Sequence, residues 1–151
     1  MPQQSPTLAA AAKRRCRPGY DQQSVLKIAV EVFNKHGFEA TSMSVLADNL
    51  GISKSAIYHH VPSKGDMLRL ALDRALDGLE AILEEPGACE GRADDRLEYV
   101  LRRTIDVMVA ELPFVTLLLR VRGNTEVERV AMTRCRAFNS RVTQLVKAAS
   151  S

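Results

Sequence analysis

A chain of 151 residues can bury one real core, or a small head joined to a larger body, and 46% hydrophobic with 26% charged residues excludes a disordered chain. The formal net charge of +3 is unevenly spread: residues 1–64 hold eight Lys or Arg against four Asp or Glu, residues 65–151 thirteen against fourteen. That split points to a polyanion-facing front and a neutral body, with a plain solvated surface as the alternative for so modest a surplus.

Cys16, Cys89 and Cys135 are far apart and never form a C-x-x-C pair, so neither a disulfide framework nor a metal site is indicated. The apolar run at residues 8–12 is too short for a signal-peptide core, and residues 114–119 are far too few to span a membrane. A cytoplasmic chain without a membrane partner is expected.

In chain order, residues 1–20 combine Pro2, Pro6 and Pro18 with Lys13, Arg14, Arg15 and Arg17, which predicts a flexible basic arm. Val25, Ile28, Ala29, Val32 and Phe33 then recur at helical spacing, with Asp21 as N-cap and Gly37 as stop. Met43, Leu46, Ala47 and Leu50 repeat the spacing after Thr41 and Ser42, and Gly51 ends that second, short helix. Ser53 caps a third, which turns Ala56 and Ile57 inward and stops where Val61 precedes Pro62, because the proline ring disfavours helical backbone before it. Ser63 with Asp66 opens a fourth along Leu68, Leu72, Ala75, Leu76, Leu79 and Leu83, ended by Pro86 and Gly87.

Leu97, Leu101, Thr104, Ile105 and Met108 predict a fifth helix, broken at Leu112 and Pro113. Residues 113–121 predict a sixth, apolar nearly all round and so central. Thr125 and Glu128 form a second capping-box pattern, opening a seventh through Val127, Val130, Ala131, Phe138, Val142, Leu145 and Val146. No stretch alternates long enough for a strand, so the expected class is all-α.

Ala47, Gly51 and Ile57 have the sizes that a tight helix crossing demands: a small residue where the next helix approaches, a glycine for the turn, and a branched plug. That spells a helix-turn-helix, with a featureless α-hairpin as the alternative. Lys54, Ser55, Tyr58 and His59 crowd hydrogen-bonding groups onto the outer side of the short third helix, which suits a major groove; packing is the competing use of Tyr58. Lys54 and Lys64 stand in the first turns of the third and fourth helices, where the helix dipole makes a cation unfavourable by roughly 0.3–1 kcal/mol. A phosphate gripped by the turn's N–H groups and the lysine would reverse that sign, whereas lysine tips bent into solvent would need no partner. His59 and His60 lack a third ligand at suitable spacing, so they read as DNA-contacting donors or surface residues and not as a metal site. With no nucleophile–base pair, metal cluster or phosphate loop, no enzyme and no cofactor are expected.

The segment "EVFNKHGFEATSMSVLADNLGISKSAIYHHVPSKGDML", residues 31–68, resembles the DNA-binding domain of the TetR family of bacterial transcriptional regulators. The likeness covers about the first 70 residues. It implies a three-helix helix-turn-helix domain over 21–65 and a helical effector-binding and dimerisation domain over 66–151. By position it implies that Ser42 and Ser44 touch DNA, that Lys54, Ser55 and Ala56 sit near base edges, and that Tyr58, His59, His60 and Lys64 engage mostly phosphates. The arm, with Arg14, Arg15 and Arg17, would add minor-groove or backbone contacts.

The family's last two helices, which form its usual dimer bundle, are expected to be missing from a chain that ends in "KAASS" soon after the seventh helix. An effector pocket is expected among the fourth to seventh helices, with Leu101, Ile105, Met108, Phe114, Leu118 and Phe138 as lining; core packing is the competing reading for each. Arg102, Arg103, Arg120, Arg122, Arg134 and Arg136 are candidates for binding a carboxylate or an acyl-CoA phosphate, with surface ion pairs as the alternative. The function implied is a repressor, homodimeric on a palindromic operator and released by a small molecule, apolar or an acyl-CoA. The alternatives are a regulator with no such effector, controlled by a protein partner, and a thiol sensor using Cys89 or Cys135.

Overall fold

The structure, a computed structural model, describes residues 21–151, so Arg14, Arg15 and Arg17 of the basic arm lie outside the described residues. These residues form eight helices and no strand, which makes the class all-α. One compact unit ends at Met67 and a second begins at Leu68.

In the first unit, α1 (Gln22–His36) begins where the Asp21 carboxylate accepts the Ser24 N–H at 2.8 Å, a bond that holds this carboxyl below its ordinary range. It ends at Gly37, whose φ of 94° a side chain would strain. The buried face holds Val25, Leu26, Ala29, Val30, Val32 and Phe33, while Ile28 is half-buried. Helix α2 (Met43–Leu50) is capped by Ser42, whose oxygen accepts the Val45 N–H at 3.1 Å, and buries Leu46, Ala47 and Leu50. Helix α3 (Lys54–His60) is capped by the Ser53 oxygen on the Ala56 N–H at 3.1 Å, and Val61, extended before Pro62, closes it. The three helices pack on one another. Helix α4 (Lys64–Ile82) opens with the Ser63 oxygen accepting the Asp66 N–H at 3.1 Å.

In the second unit the rest of α4 buries Leu68, Leu72, Ala75, Leu76 and Leu79, with Ile82 at its end and Leu83 just beyond. The chain does not simply stop at Pro86 and Gly87: a one-turn helix, α5 (Pro86–Cys89), intervenes before α6 (Ala93–Ala110). Helix α4 has already ended at Ile82, and Pro86 opens the next turn, because proline at the first position sacrifices only an N–H that has no partner in the helix. An ideal Cβ at Gly87 would stand 2.5–2.7 Å from the Tyr99 ring, so only glycine lets α5 lie against α6. Tyr99 donates to Glu85 at 2.6 Å, and Arg103 grips the same carboxylate at 3.0 and 3.2 Å.

Helix α7 (Leu112–Leu119) is less central than its composition suggests: Phe114, Val115, Leu117 and Leu118 are buried, but Leu112 and Leu119 at its ends are exposed. Helix α8 (Glu126–Ser150) begins with the expected capping box, Thr125 and Glu128 each accepting the other's backbone N–H. It packs along α6, and Arg134 ties it to α4 through Asp73, Asp77 and Glu80 at 2.7–2.8 Å. No helix among the described residues is long and apolar enough to cross a membrane.

Candidate nucleic-acid interface

The corner between α2 and α3 is built as the three residue sizes require. Gly51 takes a left-handed backbone (φ 70°, ψ 27°) and its N–H reaches the Ala47 carbonyl at 2.8 Å. The Ile52 N–H closes on the same oxygen at 3.2 Å. Ala47 is buried, and Ile57 is 0% exposed, plugging the space beneath α3.

With Ile57 anchored inward, the opposite side of a two-turn helix must face out. Lys54, Ser55 and His59 are exposed, and Tyr58 is 48% exposed. Ala56 and His60 are half-buried. Ser44 is exposed on the first turn of α2, and Ser42 is exposed although its oxygen caps that helix. The imidazoles of His59 and His60 meet edge to face at 6.3 Å.

Lys64 differs from Lys54. Its ammonium turns back into the protein and donates to the carbonyls of Phe38 (2.8 Å) and Thr41 (2.9 Å), with the Phe38 ring centroid 4.4 Å away. Two carbonyl dipoles and the negative face of an aromatic ring offset the unfavourable helix end, so the charge has its partners within the chain. Thr41, itself buried, donates its hydroxyl to the Gly37 carbonyl at 2.7 Å. The turn that delivers Ser42 and Ser44 is thus clamped from two sides. Gln22, which the sequence did not single out, donates its Nε2–H to the His60 carbonyl at 3.0 Å and fixes the end of α3 to the start of α1.

The six residues expected around an effector are split. Leu101 (48% exposed), Ile105 (60%) and Met108 (37%) face outward on α6, whereas Phe114, Leu118 and Phe138 are buried in the core. None of the six lines any of three cavities found in the second unit. Helical periodicity marks an apolar face but does not say what covers it. Among the arginine candidates, Arg102 pairs with Glu98, Arg103 with Glu85 and Asp106, and Arg134 with three acids. Those three are engaged by carboxylates of the chain. Burial pushes the Cys135 thiol above its ordinary range, which disfavours the reactive thiolate, while Cys89 is exposed.

The sequence model of the family described as bacterial regulatory proteins, tetR family, matches residues 25–71. The chain is 33% identical over 82 residues to the HTH-type transcriptional repressor ComR of Escherichia coli, which covers 54% of this chain and 39% of ComR. It is 55% identical to a solved member of the TetR transcriptional regulator family from Streptomyces coelicolor, with a TM-score of 0.80 over 83% of this chain and 63% of that one. At 20% identity, the structure of AibR in complex with isovaleryl coenzyme A and operator DNA shares the fold, with a TM-score of 0.70 over 85% of this chain and 71% of that one. The chain therefore spans less than half the length of ComR and under two thirds of the Streptomyces protein. The likeness to the bacterial regulatory proteins of the tetR family thus rests on residues 25–71, the helix-turn-helix segment that the family's model matches.

Proposed function

We propose that the chain is a sequence-specific DNA-binding transcriptional regulator, a repressor released from a palindromic operator by a small-molecule effector and acting as a homodimer. The observation that carries this reading is the two-sided character of α3: Ile57 wholly buried, and Lys54, Ser55, Tyr58 and His59 presented outward on a helix too short for much else. In this reading α3 enters the major groove, with Lys54 and Ser55 at base edges and the Ala56 methyl beside thymine. Ser42 and Ser44 touch the DNA, Tyr58, His59 and His60 engage mostly phosphates, and Arg14, Arg15 and Arg17 of the arm reach the adjacent groove or backbone. Lys64 first positions the turn before α2, and the third N–H of its ammonium remains for a phosphate.

Two half-sites require recognition helices one duplex turn apart, roughly 34–36 Å, so an effector that prefers a different separation weakens binding by mass action. The effector class we assign is apolar or acyl-CoA, in keeping with the ligand of AibR. Selection of bound sites from random duplexes tests the whole: a palindromic consensus supports the reading, and recovery of unselected sequence removes it.

A further inference from the structure

Three cavities in the second unit contain arginines, and they differ in what those arginines touch. In one, Arg74 pairs with Glu111 and Arg103 with Glu85; in another, Arg134 is surrounded by Asp73, Asp77 and Glu80. The third, about 250 Å³, is lined by Arg96, Arg141 and Gln144 together with Leu83, Ala88 and Leu145, and has no carboxylate in its wall. The Arg96 Nε–H is buried and has no hydrogen-bond partner. A guanidinium cannot shed its proton to escape that cost, so a buried, unsatisfied N–H on a permanent cation favours an incoming anion. A second guanidinium on the same wall strengthens the preference, since two like charges facing one space repel until a negative group lies between them.

We propose that this cavity binds a small carboxylate with a short apolar tail. The planar fork of Arg96 matches a carboxylate edge, Arg141 and Gln144 close on its other side, and Leu83, Ala88 and Leu145 receive the tail. The volume falls below the usual range for drug-sized ligands and suits an occupant of about a dozen heavy atoms. The hydrogen bond of Tyr99 to Glu85 fastens the start of α5, whose Ala88 belongs to this wall. Every lining residue belongs to the second unit, so the inference stands apart from the DNA-binding reading.

The test uses the 151-residue chain without DNA, following the Arg96 Nε–H resonance by NMR during titration with benzoate and hexanoate. Benzyl alcohol and inorganic phosphate serve as controls. A saturable shift with at least one carboxylate and none with the alcohol is expected, and in isothermal titration calorimetry, which needs no Arg96 signal, Arg96→Gln or Arg141→Gln should weaken binding by roughly tenfold or more. Arg141 is exposed, so its variant is expected to keep the helical circular dichroism of the parent and remains informative if Arg96→Gln does not fold. No saturable shift with either carboxylate overturns the proposal. So does an equal response to phosphate or benzyl alcohol, or carboxylate affinity untouched by folded variants.

Discussion

The Lys64 ammonium donates to the Thr41 carbonyl at 2.9 Å, across 23 residues of sequence. With the Phe38 carbonyl at 2.8 Å it forms a clamp on the turn that sets the start of α2. A cation at a helix N-terminus, unfavourable if considered within its helix alone, is thereby turned to a structural use.

Lys64→Met should therefore lower stability, by roughly 1–3 kcal/mol for two charge-assisted hydrogen bonds in partly exposed surroundings. Lys54→Ala, at an exposed position with no such partners, should leave the melting temperature nearly unchanged. In DNA titrations across salt concentrations, a phosphate contact from the third N–H of Lys64 predicts a loss of about 0.9 in the log–log slope. Equal melting temperatures for the two variants would contradict the clamp.

Gly51→Ala should cost about 1 kcal/mol, because φ of 70° crowds a Cβ against the backbone even though the space around it is open. Thermal unfolding measures it. The loss should be accompanied by weaker DNA binding, since the same corner aims α3. An unchanged melting temperature would show that the turn relaxes to another conformation.

Gly87→Ala should destabilise by about 1–3 kcal/mol through collision with the Tyr99 ring. In a Tyr99→Ala background the same substitution should cost much less, a coupling that a double-mutant cycle reads directly. Additive effects would mean that the ring is not what the new methyl meets.

The Glu85 carboxylate is held below its ordinary value of 4.5, first by Arg103 and then by the Tyr99 hydroxyl. A carboxyl whose folded value is lowered contributes stability above its unfolded value and loses it as pH falls through the folded one. The melting temperature should thus fall on acidification through and below the ordinary carboxylate range, and Glu85→Gln should flatten that part of the profile. Parallel profiles for the two chains would exclude the linkage.

What the sequence disclosed follows from the distance over which each signal acts. Ser53, Thr125 with Glu128, and Ala47 with Gly51 and Ile57 work within a turn or two, so spacing alone located them, and the structure places each as spacing predicts. Helix α5 escaped because Pro86 reads equally as a stop and as a start. The partners of Lys64 and Gln22 escaped because they are backbone carbonyls 23 to 38 residues away, which no side-chain pattern announces. Leu101, Ile105 and Met108 were correctly placed on one helical face, but periodicity could not distinguish a pocket wall from an outward stripe.

In the proposed function the outward side of α3 reads bases. The most direct measurement is duplex selection carried out in parallel with the parent chain and with Lys54→Ala and Ser55→Ala. Folded variants are expected to lose preference at particular base pairs of each half-site, at a cost of about 1–3 kcal/mol per lost contact. An identical consensus and identical base preferences from all three chains would contradict it.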